Sequence, residues 1–330
     1  MLVICPIAGI GSRLFPLTLD KPKAMLKIAG KRIIDLLMDK LSKTFPKGTR
    51  FCFIVGYCKD QLIQHLEDHY QSEYNFVFVE QKPLGFKNSY PFYSGLGDAI
   101  ALAAEYGRNE DCFIFLSDRY PMEEYTPMIQ IAEKNQLDGC INTQKVDDPQ
   151  HYGVITQDSD GLVSKIVEKP KEFISNIAVS GAYYFRKTIT SLMFDMLEEQ
   201  SNQHISKFKE HDFTSIIQQL VLKGSKIGYN LMSRPVLDFG RPNNLLQANR
   251  VLIDEFQKGE SKIVIGKGSE LHNSTIEEYS SIGNNVILDE CEIKDSIIGD
   301  NCKLEGISLK NAILDDDSNT NNYQNRIIQL

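Results

Sequence analysis

Leu2-Val3-Ile4-Cys5 runs directly into Pro6-Ile7-Ala8-Gly9-Ile10-Gly11-Ser12-Arg13-Leu14-Phe15-Pro16-Leu17-Thr18, and Lys21-Pro22-Lys23 follows shortly after. A short apolar run that ends in two glycines one residue apart reads as a strand entering a tight loop. Glycine has no Cβ, so the backbone can bend sharply and bring its N–H groups close to a phosphate, while Arg13 and Lys23 supply positive charge. The two commoner phosphate fingerprints are absent: there is no G-x-x-x-x-G-K-[ST], and G-x-G-x-x-G fails for want of its third glycine. The stretch is expected to hold a nucleoside triphosphate through a loop of a different kind.

Downstream of this loop, up to about residue 140, short apolar runs alternate with amphipathic segments. Leu2–Cys5, Phe51–Val55, Phe76–Val79, Phe113–Leu116 and Gly139–Thr143 read as strands. Ile33, Ile34, Leu37, Met38 and Leu41 share one helical face, as do Leu62, Ile63 and Leu66. That alternation predicts an α/β fold, a mostly parallel sheet covered on both faces, with ligands at the carboxyl ends of its strands. From 150 to 240 the pattern is mixed: a hairpin of Gly153–Thr156 and Val163–Val167, a strand at Ala182–Phe185, and helices near Leu192–Glu199 and Ser215–Leu222. A final helix is expected near Asn243–Phe256.

The last part changes character. Ile265, Leu271, Ile276, Ile282, Leu288, Ile293, Ile298, Leu304, Leu309 and Leu314 recur at intervals of five or six, and Gly266, Gly283 and Gly299 recur every sixteen or seventeen. Such a period suits neither helix nor hairpin but fits a parallel β-helix with three short faces per coil. The pattern resembles the left-handed hexapeptide-repeat β-helix, here about three coils long. The Asp- and Asn-rich stretch Asp315 to Asn325 is expected to be a cap or a loose polar tail.

A net charge of −8 argues against a general nucleic-acid binder, yet leaves room for an anionic small-molecule substrate held by a local cluster of Arg and Lys. Seven cysteines without C-x-x-C spacing read as buried free thiols in a reducing cytoplasm. The N-terminal apolar run is too short for a signal peptide and nothing approaches a membrane span, so no membrane partner is expected.

Two carboxylates stand out. Asp118 closes the apolar run Phe113-Ile114-Phe115-Leu116-Ser117, and Asp238 closes Val236-Leu237 ahead of Phe239-Gly240-Arg241-Pro242. An Asp at a strand's carboxyl end beside a phosphate loop can hold Mg²⁺; taken alone, it is more often a helix cap or turn residue. Gln81 ends another strand. A carboxamide both donates and accepts, which suits the imide edge of uracil, thymine or guanine; the plainer alternative is a solvated Gln.

Together these strings resemble the sugar nucleotidyltransferases, also called nucleoside-diphosphate-sugar pyrophosphorylases, and are similar to the glucose-1-phosphate uridylyl- and thymidylyltransferases. The family loop reads roughly A-G-G-x-G-[ST]-R-L-x-P-L-T followed by a P-K pair, with Ala8 here replacing the commoner first glycine. The resemblance implies that Ala8, Gly9, Gly11 and Ser12 cradle the phosphates, that Arg13 holds the departing β,γ-phosphates, and that Lys23 stabilises the α-phosphate. It makes Asp118 and Asp238 joint Mg²⁺ ligands, through the motifs L-[GS]-D and D-x-G-x-P. Gln81 would read the base, and Gly95 in Gly95-Leu96-Gly97-Asp98-Ala99 would lie over the nucleoside. Tyr152-Gly153-Val154 and Glu168-Lys169-Pro170 match the Y-G-V and E-K-P motifs of the sugar-phosphate half: Gly153 belongs to it, Glu168 would accept from sugar hydroxyls and Lys169 would pair with the sugar phosphate. Gly181 in Gly181-Ala182-Tyr183-Tyr184-Phe185 would leave room for the sugar.

The resemblance also implies a Rossmann-like catalytic domain over residues 1–258 and a left-handed β-helix over 259–330, the latter serving homo-oligomer contacts and regulation. The implied reaction takes a nucleoside triphosphate and a sugar 1-phosphate to a nucleotide sugar and pyrophosphate, with glucose 1-phosphate and UTP or dTTP as first choice. Mannose 1-phosphate with GTP, a catalytically silent regulatory subunit, and transfer to a non-sugar phosphate such as phosphocholine are the alternatives. One departure bears on the base: Lys82 to Ser94, carrying Lys87, Tyr90 and Tyr93, is longer than in short uridylyl or thymidylyl relatives. Neither His151 nor the isolated His272 is assigned catalysis, because a sugar 1-phosphate is already anionic and an acyltransferase would need a better-placed His and more coils.

Overall fold

The computed structural model describes residues 1–204, 212–320 and 326–330. The chain folds as two compact units: Met1–Gly9 with Asp39–Val236, and Ile10–Met38 with Leu237–Leu330.

The first unit is built on a nine-stranded mixed sheet. Its strands are β1 (Leu2–Pro6), β2 (Arg50–Val55), β3 (Asn75–Glu80), β4 (Cys112–Phe115), β5 (Gly139–Lys145), β6 (Gly153–Gln157), β7 (Val163–Glu168), β8 (Ile177–Phe185) and β9 (Ile227–Leu231). The order is β7-β6-β8-β4-β1-β2-β3, with β5 pairing β8 and β9 off this path. β1 pairs in parallel with β2 and β4, and β2 with β3, so their carboxyl ends share one edge. β8 runs antiparallel to β4, β5 and β6.

Both faces of this sheet are buried, which is why its central strands are continuous apolar runs rather than alternating ones. Leu2, Ile4, Cys52, Ile54, Cys112 and Ile114 pack with Ile100 and with Met193, Phe194, Leu197, Ile216 and Leu220. Those partners lie on the helices Leu96–Ala101, Lys187–His204 and Phe213–Leu222. The opposite face carries aromatic rings: Phe113 meets Phe45 at 4.9 Å and Tyr125 at 5.0 Å between centroids, and Phe51 meets Tyr74 at 5.1 Å. Edge-to-face pairs at this spacing add to area burial because each ring's positive edge meets a negative face.

Among the elements not expected from the sequence are the helix Thr126–Lys134, the strand β9, and a small hairpin, Gly85–Lys87 with Tyr90–Phe92. The hairpin occupies the long stretch between Gln81 and Gly95. It turns through Asn88 and Ser89, both with positive φ, and leaves Phe86 exposed.

The second unit contains the glycine loop from Ile10 onward, the helix Pro242–Gln257 and a three-faced β-helix. Ile263–Ile265, Ser280–Ile282, Ile297–Ile298 and Ala312–Leu314 stack as one parallel sheet. Glu270–His272, Ile287–Asp289 and Lys303–Glu305 form the second face; Thr275–Ile276, Glu292–Lys294 and Ser308–Lys310 form the third. Partner residues are sixteen or seventeen apart, as the sequence period predicts. Ile282, Leu288, Ile293, Ile298, Leu304, Leu309 and Leu314 fill the interior. Ile265 and Leu271 are exposed instead, because their coil has a stacked neighbour on one side only. Of the polar stretch from Asp315, residues 315–320 are built into the last coil, with Asp315 and Ser318 buried, and 321–325 lie outside the described residues. Ile327–Gln329 then pairs antiparallel with Ala312–Leu314.

Candidate active site

Within the first unit, the carboxyl edge of the parallel strands gathers several of the residues singled out above. β1 leads to Ala8 and Gly9, β3 to Gln81, and β4 through Leu116 and Ser117 to Asp118. Ala8 is buried and its carbonyl accepts from the Tyr57 N–H at 3.1 Å. The methyl group is tolerated because Gly56 faces it: a Cβ built on Gly56 would lie 2.8 Å from both the Cβ and the carbonyl oxygen of Ala8. Around Gly9 the space is open, with no atom within 4 Å of a Cβ built there.

Gln81 is buried, not solvated. Its backbone N–H donates to Val55 O at 2.8 Å, and Nε2 donates to Ser94 Oγ and Gly95 O, each at 3.4 Å. The carboxamide is therefore held by the residues that open the helix Leu96–Ala101, and Gly95 itself needs a positive φ of 108° to turn into that helix.

The residues of the expected sugar-phosphate half also come together in this unit. Register pairs Gly153 with Glu168 across β6 and β7. A Cβ on Gly153 would sit 3.0 Å from Glu168 Oε2 and from Thr214 Cγ2, so the glycine makes room for that carboxylate. Thr214 Oγ1 is 3.4 Å from Glu168 Oε2 and donates to Asp212 Oδ1 at 2.6 Å. Lys169 is exposed, with Nζ 3.3 Å from Glu168 Oε1, and its N–H donates to Tyr152 O at 2.9 Å. Burial pushes the Tyr183 phenol well above its ordinary value, with the Glu168 charge adding to the effect, so this hydroxyl stays protonated.

Gly181 adopts φ +86°, a left-handed conformation, and a Cβ there would lie 2.7 Å from Arg119 Cγ. The space that the sequence reading reserved for a sugar is lined by Arg119, whose guanidinium lies 5.2 Å from the Tyr152 ring centroid. Arg119 and Thr214 were not anticipated. The signal for Arg119 was its place directly after Asp118; Thr214 meets Glu168 across 46 residues, and no local pattern marks that contact.

In the second unit, Gly11 takes φ +64° at the start of a single 3₁₀ turn, Ser12–Leu14, with Ser12 and Arg13 exposed. Thr18 Oγ1 donates to Gly11 O at 3.0 Å, closing the loop on itself. Lys23 opens a second turn, Lys23–Met25, and its Cβ is 3.4 Å from a Cβ built on Gly11. Asp238 Oδ1 accepts the Gly240 N–H at 2.6 Å, which orients its carboxylate ahead of the helix that starts at Pro242.

Asp118 and Asp238 thus belong one to each unit, and among the described residues no three or more His, Cys, Asp or Glu cluster as a metal site. Each of the two carboxylates is a hard oxygen donor of the kind Mg²⁺ takes. All seven cysteines are free; six are buried and Cys58 is half-buried. Burial raises the Cys52, Cys140 and Cys302 thiols to about 12, so they are not nucleophiles. No helix among the described residues is long and apolar enough to cross a membrane.

Comparisons with known proteins bear on the family and the fold of the chain. Residues 6–255 match the family described as nucleotidyl transferase. The bifunctional protein GlmU of Methanococcus maripaludis is 28% identical over 291 residues, 88% of this chain and 60% of that protein. The UTP–glucose-1-phosphate uridylyltransferase AglF of Haloferax volcanii is 28% identical over 250 residues, 75% of this chain and 95% of that protein. The chain spans about 60% of the length of the GlmU relatives. Among solved structures, a putative glucose-1-phosphate thymidylyltransferase from Bacillus anthracis superposes with a TM-score of 0.62 at 23% identity, covering 76% of this chain and 95% of that one, a likeness of fold.

Proposed function

The chain belongs to the nucleotidyl transferase family, and from that premise we propose that it condenses a nucleoside triphosphate with a sugar 1-phosphate, giving a nucleotide sugar and pyrophosphate. The observation that carries the reading is Gln81, buried at the carboxyl edge with its amide oriented by Ser94 and Gly95, on the same edge as Ala8, Gly9 and Asp118. A carboxamide held in one orientation at the strand edge that carries the start of the phosphate loop supports a base-reading role, because it can both donate and accept. UTP or dTTP with glucose 1-phosphate is the preferred pair. The proposal divides the chain into a catalytic domain, 1–258, and a β-helix, 259–330.

The reaction joins two anions. An oxygen of the sugar phosphate attacks the α-phosphorus in line; that O–P bond forms as the bond from the α-phosphorus to the bridging oxygen breaks, and pyrophosphate leaves with the electron pair. No proton has to be removed from the nucleophile, so positioning and charge neutralisation supply the rate. Backbone N–H groups at Gly9, Gly11 and Ser12 cradle the phosphates, Arg13 holds the departing pair and Lys23 faces the charge that grows on the α-phosphate. Glu168 accepts from sugar hydroxyls, and Lys169 pairs with the sugar phosphate. Asp118 and Asp238 would hold Mg²⁺, which supplies Lewis-acid neutralisation of the reacting phosphates when bound.

Pyrophosphate release tests this with Mg²⁺ and a matrix of UTP, dTTP, GTP, ATP and CTP against glucose 1-phosphate, mannose 1-phosphate and phosphocholine. Turnover with a uridine or thymidine triphosphate and glucose 1-phosphate is expected. Turnover with phosphocholine alone would reassign the acceptor, and none with any pair would leave a silent regulatory subunit.

A further inference from the structure

The glycine loop shares its compact unit with the β-helix, and the contacts between them are ionic and largely buried. Lys21 Nζ lies 2.9 Å from Asp315 Oδ1 and 2.7 Å from Asp316 Oδ2, with the Lys21 side chain 13% exposed. Lys27 Nζ lies 2.6 Å from each oxygen of Asp300. A neutral fixing point follows: Ala29 N–H donates to Oδ1 of the fully buried Asn249 at 2.8 Å. That amide also accepts from Ser281 Oγ at 3.0 Å and donates to Tyr279 O at 2.7 Å.

The β-helix partners are not scattered acids. Asn284, Asp300 and Asp316 are equivalent positions on successive coils, each sixteen residues from the next. Each side chain caps the backbone of the coil before: Asn284 Oδ1 accepts from Lys267 N–H at 2.9 Å, Asp300 Oδ1 from Asn284 N–H at 2.7 Å, and Asp316 Oδ1 from Asp300 N–H at 2.8 Å. An amide oxygen performs that cap as well as a carboxylate, as Asn284 demonstrates. The chain carries Asp at the two corners where Lys27 and Lys21 arrive. The charge at those corners is therefore surplus to the coil and directed at the loop.

We propose that this acidic corner positions the glycine loop: Asp300 and Asp316 hold Lys27 and Lys21, and through them the buried turn that carries Lys23. Pro22, Ala24 and Met25 are buried on either side of Lys23, so the turn moves as one piece between its two anchored lysines. Lys21 and Lys27 are positioning residues, not catalytic ones. The β-helix then bears on catalysis directly, and anything that displaces its last coils would move Lys23. The catalytic half of the inference rests on the proposed reaction; the anchoring half does not.

Asp300→Asn and Asp316→Asn, singly and together, keep the Oδ1 cap and remove the charge that those two side chains offer to lysine, with Asp315 left on Lys21; Lys27→Met and Lys21→Met remove the lysine partners outright. Hydrogen exchange of the full chain should show residues 17–28 exchanging at least ~10-fold faster in the double Asn variant, with residues 287–289 unchanged. kcat should fall by roughly 10–100-fold, the scale of a displacement of about 1 Å at a reacting group, while KM for the sugar phosphate stays within about 3-fold. Lys27→Arg, which can still bridge both Asp300 oxygens, should recover most of the rate. Folded variants with wild-type exchange in 17–28 would overturn the anchor; faster exchange with unchanged kcat would overturn its catalytic meaning. Should the wild-type protein turn over no substrate pair, the proposed function fails while the exchange measurement still decides the anchor.

Discussion

A Cβ added at Gly56 would press on both the side chain and the backbone of Ala8, at 2.8 Å in each case. Overpacking of this kind costs about 1–3 kcal/mol. Gly56→Ala should therefore destabilise the first unit by that amount in urea unfolding, and Ala8→Gly in the same chain should recover part of it. Asp118→Asn and Lys23→Ala each remove one electrostatic contribution to the proposed reaction and should lower turnover at least ~100-fold, measured as pyrophosphate release; rates near wild type would dismiss the assigned roles. Such residues were legible because the motifs around them are contiguous. Arg119 against Gly181 was not: only folding brings strand β8 beside the residue after Asp118, and the missing Cβ there admits an arginine side chain.

At the scale of elements, the five strands expected before residue 145 are present because a sheet buried on both faces leaves an uninterrupted apolar run in the sequence. The coils of the β-helix were legible for a similar reason, since stacking at a constant interval imposes a period. The glycines mark where this is tightest: a Cβ on Gly266, Gly283 or Gly299 would lie under 3 Å from the backbone of the next coil. Periodicity could not tell an interior coil from a terminal one. Leu304→Ala should cost about 2–5 kcal/mol, as for other fully buried leucines. Ile265→Ala, at a side chain 48% exposed, should stay within roughly 0.5 kcal/mol; equal losses in thermal unfolding would contradict this account of the coil end. Asn249→Ala strips the partner from the Ala29 N–H and should cost about 1–3 kcal/mol, read in the same experiment.

For the whole molecule, the lysine–aspartate corner sets a pH window. Burial opposes the charge on Asp316, but the bond and charge of Lys21 outweigh it and hold Asp316 below its ordinary 3.8. Its contribution is complete above pH 3.8 and is lost as pH falls through the lower folded value. Burial likewise works against Lys21, and Asp316 and Asp315 outweigh it, so Lys21 sits above its ordinary 10.5. That contribution is complete below pH 10.5 and is lost as pH rises through the folded value. Asp315, whose carboxyl burial raises, accepts a proton first on acidification and sheds an unfavourable charge. The corner's contribution to melting temperature should therefore be full and constant between about pH 5 and 9, and Asp316→Asn should narrow its difference from wild type only outside that range. A difference that grows steadily across neutral pH would contradict it.

The sequence alone determined the short-range matters: a strand running into a glycine loop, carboxylates closing apolar runs, and a coil period. Each is written in neighbouring residues or in a repeat, where backbone freedom and alternation leave a direct trace. Tertiary structure alone decided that the loop's lysines meet aspartates 273 to 295 positions away, and that the loop belongs to the compact unit of the β-helix. An ion pair depends on which surfaces the fold brings within about 3 Å, and no window of sequence contains both partners.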